Sequence, residues 1–270
     1  MDAKLQLLVQ RRGWDIAASD YEESWCRQLQ AATDKLLACV DVQPGESVIE
    51  AASGTGLITL IVAELACNGR VLATDISKNM LAQLNVAADA AGLTNIETVA
   101  CNAEALVTQE QFHVAVCALG LMYMPDPAQA IAQLHSTLRP GGRAALSVWG
   151  ERGNSGWASL FGIVDGRVAS DVCPMFFGMG APGALAGSMA QQGFVDVIEE
   201  RIRVTLDFPT DEAALSAAFV GGPVALAYVR FDDETKASAH AEYLDTIAQY
   251  RGNNGYLVPG EFVIAAGRRM

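Results

Sequence analysis

Histidine is scarce in this chain of 270 residues, with only His113, His135 and His240 present. General acid–base chemistry by imidazole therefore has few candidates. Cations are also in short supply: 18 Lys and Arg stand against 31 Asp and Glu, a formal net charge of −13. Non-specific nucleic-acid affinity comes from clustered Lys and Arg, so a nucleic-acid partner is not expected. The acidic excess reads as solubility rather than as a site for a cationic partner. Six cysteines, at 26, 39, 67, 101, 117 and 173, include no C-x-x-C pair and no zinc-ligand spacing, so no metal site is expected. Most of them sit in apolar patterns, where a free thiol behaves as a small buried hydrophobe and a reducing compartment is implied. No stretch reaches the roughly 18 consecutive apolar residues of a membrane helix. The opening "MDAKLQLLVQRRGWD" breaks its apolar run with charges and lacks a signal-peptide core. A soluble cytoplasmic protein without membrane contact is the expectation.

Apolar material, by contrast, is plentiful: hydrophobic residues make up 51% of the chain, enough for a sizeable core. Residues 16–40 repeat Trp25, Leu29, Leu36 and Leu37 near helical spacing and predict one amphipathic helix. Short apolar runs then alternate with helical patterns. Strands are predicted at 47–52, 70–75, 95–101, 112–118 and 142–149, and helices at 57–67, 78–92 and 127–138. Pro140-Gly141-Gly142 is read as a stop before the fifth strand. Such alternation implies an α/β fold with a mostly parallel sheet and helices on both faces. After Trp149 the rhythm breaks into a Gly-, Phe- and Met-rich segment with "CPMFFGMG" at 173–180. A helix at 182–192, a strand at 194–206, helices at 211–219 and 233–250 and a strand at 260–267 follow. The last strand has no crossover helix after it, so an antiparallel placement is predicted. One unit fits best: helices in 1–44, a core in 45–149, a helical cap from 150–180 and 207–256, and sheet completion by 181–206 and 257–270.

The stretch "VIEAASGTGLITL", Val48 to Leu60, reads as strand, tight glycine turn and helix start, a geometry that brings backbone close to a nucleotide. A P-loop needs a lysine for phosphates, and none occurs between Lys35 and Lys78. A dinucleotide turn wants a third small residue for helix–strand packing, and Thr59 occupies that position. Asp75, ending the second strand, suits a ribose diol in either an NAD or an S-adenosylmethionine site. Glu50 would repel a pyrophosphate but suits the ammonium of an amino acid joined to a ribose. Ile76 can pack on an adenine face with Met80 one turn into the helix, and Asn102 can address the adenine edge. All lie beyond the C-terminal ends of predicted parallel strands, where open α/β sheets bind ligands.

"VIEAASGTG", "ATDISKNML", "CNAEAL", "FHVAVCALGLMYMPDP" and "LRPGGRAALSVWG" together resemble, in order and spacing, the class I S-adenosylmethionine-dependent methyltransferases. The likeness is to the small-molecule branch related to quinone-biosynthesis C-methyltransferases, and it covers roughly residues 14 to 149. It implies a Rossmann-like, seven-stranded, mostly parallel sheet with an antiparallel last strand. It also implies that the backbone of Ala52, Ser53, Gly54 and Gly56 lies against the methionine part of the donor. Asp75 would hold the ribose, Ile76 and Met80 the adenine, Asn102 and Ala103 its edge. Leu119 would lie under the sulfonium, and Tyr21 over the donor's carboxylate. Three positions depart from the family pattern: Ala52 stands for a first glycine, Asn102 for an aspartate, and His113 for an aspartate at the far end of its strand.

Methyl transfer is an in-line displacement that requires alignment in a dry cleft. No general base is assigned; Tyr123 and His240 are the two candidates, His113 and His135 being read as packed or solvated. Trp25, Tyr123, Met175, Phe176 and Phe177 are candidates for an apolar substrate wall, and ordinary packing of the cap is the competing reading. The expected function is methyl transfer to a small, apolar or aromatic molecule at O, C or N, by a monomer or homodimer, with S-adenosylhomocysteine as product. A fold-mate that binds the donor without transfer, an NAD-dependent oxidoreductase and, more remotely, a thiophilic acceptor are the alternatives.

Overall fold

Strands rich in Val, Ile and Ala form the centre of the molecule because both faces of a parallel sheet are covered. In the computed structural model, which describes residues 3–106, 108, 111–169, 173 and 175–270, these are β1 (Ser47–Ala51), β2 (Arg70–Asp75), β3 (Ile96–Ala100), β4 (Phe112–Ala118) and β5 (Leu138–Trp149). Val48, Ile49 and the run Val114–Cys117 have no solvent exposure. Helices α3 (Thr59–Leu65), α4 (Lys78–Ala90) and α5 (Pro127–Thr137) make crossovers between them. Beyond them come β6 (Val195–Phe208), the two-residue β7 (Arg251–Gly252) and β8 (Gly255–Arg268). The sheet order is β3-β2-β1-β4-β5-β8-β6, with β7 pairing β8. Neighbours from β3 to β5 are parallel, and β8 runs antiparallel to β5 and β6. The fold is Rossmann-like, and the chain changes direction across the sheet between β1 and β4, the place where such sheets bind ligands.

Three expectations need correction. The single helix over 16–40 is two: α1 (Ala3–Ala17) and α2 (Tyr21–Val40). Ser19 turns its hydroxyl onto Asp20 at 2.6 Å, a local side-chain bond that competes with helix continuation. Pro140-Gly141-Gly142 does not precede β5 but lies inside it. Leu138 already pairs with Phe112 and the register shifts before Val114, as in a bulge, with Gly141 at φ +77° donating to Arg269 O at 2.8 Å. The last strand begins at Gly255 rather than 260, because it pairs with β6 as far as Phe208↔Tyr256.

The cap comprises α6 (Ser159–Asp165), α8 (Asp211–Leu215) with a wider turn through Val220, α9 (Ala225–Tyr228) and α10 (Asp233–Ile247). α7 (Ala184–Gln191) packs on the outer strands instead. The loop leaving β5 is anchored by Glu261, a nearly buried carboxylate. It accepts from Arg201 Nη1 at 2.8 Å, Asn154 Nδ2 at 3.0 Å and the Glu151 N–H at 3.1 Å. Burial pushes Glu261 up, but these bonds and the charges of Arg201 and Arg203 hold it below the usual carboxylate range. At the opposite end of β1, His113 Nδ1 accepts from the Ser47 N–H at 3.1 Å, a structural bond that aligns β1 with β4. Among the described residues, no helix is long and apolar enough to cross a membrane.

Gly56 carries two constraints at once. Its φ is +98°, and a Cβ built there would lie 2.9 Å from Leu84 Cγ on α4. Gly56→Ala is therefore expected to destabilise the protein by about 1–3 kcal/mol, measured as a lower urea midpoint with an unchanged slope.

Candidate functional site

The turn after β1 is built from unusual backbone. Ala52 adopts φ +56°, Gly54 φ +57° and Gly56 φ +98°. Across the switch point Leu119, just after β4, is also left-handed at φ +54°. Left-handed non-glycine residues cost free energy and cluster at ligand sites. The two turns touch: a Cβ on Gly120 would stand 2.5 Å from the Ala52 Cβ. Small residues at 52 and 120 thus let the ends of β1 and β4 close together. The hydroxyls of Ser53 and Thr55 are buried in the same turn and have no hydrogen-bond partner among the described residues.

Over these turns opens a cavity with about 940 Å³ of empty space, the open solvent at its mouth included. Its floor comes from the C-terminal ends of β1 to β5: Ala52 and Gly54, Asp75 and Ile76, Asn102 and Ala103, Leu119, and Trp149. Its roof comes from α1 and α2 through Gln10, Trp14, Tyr21 and Trp25, with Gly222, Pro223 and Trp157 of the cap closing one side. Met80 and Tyr123 complete the apolar lining. Asp75 is the only charged side chain among the described residues that line it.

Asp75 organises the polar half. Its Oδ2 accepts from the Gly54 N–H at 2.9 Å and its Oδ1 from the Ser77 N–H at 2.8 Å. Burial raises its pKa to about 6, against the lowering effect of those backbone bonds. Each oxygen retains a lone pair for a further donor. Ser77 Oγ caps α4 by accepting from the Met80 N–H at 3.1 Å and donates to Asp15 Oδ1 at 2.7 Å. The last turn of α1 is thereby tied to the acid. Tyr21 remains a phenol, because burial and then the neighbouring Asp75 carboxylate raise its pKa.

Several anticipated residues stand apart from the cavity wall. Glu50 is 2% exposed and does not line it; its Oε2 accepts from Thr59 Oγ1 at 2.6 Å. Thr59, which weakened the case for a dinucleotide, is the partner of that buried acid. Asn102 lines the cavity, but its Oδ1 accepts from the Glu104 N–H at 3.1 Å and starts a helical turn. His240 is off the site: it stacks on Tyr228 and its Nε2 lies 2.9 Å from that hydroxyl. Met175 is 47% exposed. Phe176 is buried behind Tyr123 at 5.5 Å between ring centroids, and Phe177 packs on Trp157 and Phe161. They back the lining rather than form it. Pro174, in the same anticipated segment, lies outside the described residues. Gln10, Trp149 and Gly120 line the cavity without having been singled out. Trp149 had a readable signal, as the last residue of a predicted parallel strand; Gln10 had none.

Residues 48–142 match the family model described as a methyltransferase domain. That segment is similar to methyltransferase domains. An uncharacterized protein of Mycobacterium tuberculosis is 31% identical over 115 residues, 42% of this chain and 41% of that protein. The demethylmenaquinone methyltransferase of Shouchella clausii is 36% identical over 106 residues, 38% of this chain and 45% of the relative. The chain thus spans less than half the length of these relatives. In fold, it is similar to a Haemonchus contortus phosphoethanolamine N-methyltransferase solved with phosphomonomethylethanolamine and S-adenosylhomocysteine. That likeness has a TM-score of 0.58 at 14% identity, covering 95% of this chain and 58% of that one. The matched segment contains Ala52, Asp75, Asn102 and Leu119, and leaves out α1, α2 and the cap.

Glu50 gives the domain a pH signature. Burial raises its pKa to about 8, with the Thr59 hydroxyl pulling the other way and Asp75 adding to the rise. The unfolded chain releases this proton from about pH 4.5 upward, while the folded protein keeps it to about pH 8. Its contribution to stability is therefore full at low pH and is lost as pH climbs through that window. Glu50→Gln keeps an acceptor for Thr59 and removes the titration. The variant should gain stability over the parent as pH rises from 5 to 8, by at most ~1.4 kcal/mol per pH unit. Parallel melting curves across that range check it, and a constant difference would assign the effect to packing.

Proposed function

We propose that the chain binds S-adenosylmethionine in the β1–β3 half of the cavity and transfers its methyl group to a small molecule held in the β4–β5 half. The observation that carries this is Asp75: a buried carboxylate, braced by two backbone N–H groups, in a cavity whose described lining has no cation. A pyrophosphate there would be repelled by Asp75 and would meet no countercharge, whereas a ribose diol donates to Asp75 and a sulfonium is attracted to it. Ser53 and Gly56 stand off the lining, and it is the left-handed backbone of Ala52 and Gly54, both on it, that suits a close-lying ligand. The methyltransferase domain match and the S-adenosylhomocysteine bound by the Haemonchus contortus protein support the same cofactor.

The donor supplies an electrophilic methyl on sulfur, and its loss to a nucleophile leaves S-adenosylhomocysteine. The chain's own residues do the positioning. Asp75 takes the ribose hydroxyls, Ile76 and Met80 flank the adenine, and Ala103 with Asn102 meets its edge. Asn102 is engaged with Glu104 at both ends, its Oδ1 accepting from the Glu104 N–H and its Nδ2 donating to Glu104 Oε2 at 3.3 Å, and the longer Nδ2 bond is the one an adenine edge would replace. Leu119, held left-handed beside Ala52, sits at the boundary of the two halves and faces the sulfur. Tyr21 donates its phenolic proton to the donor's carboxylate. Trp14, Tyr21 and Tyr123 pack edge to face and exclude water from the junction, which strengthens each polar contact there. No lining residue is assigned as a base: Tyr123 is held well above its ordinary pKa by burial and so orients the acceptor as a donor.

Calorimetry should register S-adenosylhomocysteine binding and no NAD binding; heat with NAD alone would overturn the reading. Asp75→Ala is expected to weaken S-adenosylhomocysteine roughly tenfold or more, on the order of 1.4 kcal/mol. In the unaltered protein, affinity should fall as pH drops below about 6, where Asp75 gains its proton. Asp75→Ala should lose that pH dependence.

A further inference from the structure

The inner face of α1 carries an exception to its own pattern. Leu7, Gln10 and Trp14, at helical spacing, all line the cavity, and Gly13 and Ala17 on the same side of the helix are buried. An inward stripe of this kind is ordinarily apolar, yet its middle position is a glutamine only 8% exposed. A glutamine side chain offers two N–H donors and an oxygen with two lone pairs. Among the described residues the Gln10 amide has a single partner: Nε2 donates to Cys173 Sγ at 3.8 Å, and a thiol sulfur is a weak acceptor. Oε1 has no partner, and unlike the Ser53 and Thr55 hydroxyls it is not sealed from solvent. Cys173 stands behind the lining, so the nitrogen arm of the amide is turned away from the cavity. The oxygen arm is turned toward it, and the little surface that Gln10 keeps is cavity surface.

Gln10 belongs to the β4–β5 half. Cys173 follows β5 and neighbours Tyr123, whose pKa is raised by burial and next by that thiol. Trp14, one turn along α1, has its ring 4.9 Å from Tyr123. The remainder of this half is aromatic: Trp25, Trp149 and Trp157 line it as a mutually packed trio, with ring centroids 4.8 to 5.9 Å apart. Its other polar groups, the Tyr123 hydroxyl and the indole N–H groups, offer protons. That leaves Gln10 Oε1 as its one strong side-chain acceptor among the described residues. A half-paired amide in such a wall costs free energy that an apolar side chain would not, and a guest that donates to Oε1 removes the cost. An anion would find no countercharge, because Asp75, the only charged described residue on the lining, lies in the other half.

We propose that Gln10 is a specificity-determining residue of the acceptor site, selecting an uncharged aromatic molecule whose hydroxyl or N–H group donates to Gln10 Oε1. The proposal rests on the reading that the β1–β3 half holds the methyl donor. Cys173 fixes the amide from behind, and the amide fixes the edge of the guest that carries the proton. Gln10 precedes the segment matched by the methyltransferase domain, so this selectivity resides in the part of the chain that the match leaves out.

Three probes test it in the full chain saturated with S-adenosylhomocysteine: 2-naphthol, 2-methoxynaphthalene and naphthalene. The first two share a ring system and an oxygen that can accept from Tyr123 or an indole, but only 2-naphthol can donate. It should bind about tenfold or more tighter than 2-methoxynaphthalene. Gln10→Met keeps the length of the side chain and removes the amide. In that variant the two oxygen probes should bind alike, while naphthalene and S-adenosylhomocysteine stay within about twofold of the parent. Its urea midpoint should equal or exceed the parent's, since a half-paired buried amide has been replaced by an apolar chain. Equal binding of the two oxygen probes by the unaltered protein overturns the proposal. Tighter binding of 2-methoxynaphthalene does so too, because the amide would then present its NH2. A preference for 2-naphthol that survives in Gln10→Met also overturns it. So does a midpoint below the parent's, failure to fold included, which would make the amide a structural one. If S-adenosylhomocysteine fails to bind, the donor reading falls, and loss of the 2-naphthol preference in Gln10→Met judges Gln10 by itself.

Discussion

A buried carboxylate at the end of a parallel strand must be compensated, and in this protein the compensation of Asp75 organises the surrounding structure. One oxygen holds the turn after β1 through the Gly54 N–H, and the other holds the entry to α4 through the Ser77 N–H. Ser77 extends the chain of bonds to Asp15, and with it to α1. Three segments separated in sequence converge on a single acid. Their backbone N–H groups offset only part of the desolvation penalty, so the carboxylate remains able to accept more donors. That residual demand is the physical basis for placing the nucleoside here.

The second constraint is steric. The ends of β1 and β4 approach because Ala52 is small, Gly120 has no side chain, and Leu119 accepts a left-handed backbone. The cavity floor is therefore rigid and narrow at the switch point. On one side lies a polar region with a single negative charge; on the other lies an indole trio. On the proposed reading, that division brings the methyl donor and its acceptor together at the point where Leu119 sits. In-line transfer needs that juxtaposition, and rigid strand ends supply it better than loops would. The cap contributes Trp157 and is held in turn by Glu261, whose neutralisation by Arg201 keeps the loop after β5 in place.

Much of this was legible in the chain. The alternation of apolar runs with helical patterns placed β1 to β4 within a residue or so, because a parallel strand covered on both faces has to be apolar throughout. Asp75 and Ile76 followed from the rule that ligands sit beyond the carboxyl ends of such strands, Ala52 and Gly54 from the glycine turn, and Leu119 from the family resemblance; all five line the cavity. The failures have local causes. Glu50 resembled a ligand-facing acid, but Thr59 reaches it first and the turn covers it. Asn102 does line the cavity as anticipated, although its oxygen also caps the helical turn behind it. The Met175–Phe177 segment was read as a pocket wall from composition, and only its packing shows that it stands one layer behind.

By itself, then, the sequence determined the sheet, the switch point and the residues at the strand ends, because those follow from periodicity and from where backbone must turn. The tertiary structure decided what lies above them. That all four tryptophans face the cavity, that α1 closes over Asp75, and that the Trp157 donor is unpaired depend on contacts between residues far apart in the chain. No local pattern encodes such contacts, since an indole in a core and an indole in a binding site have the same neighbours in sequence. They differ only in what occupies the space beside the ring.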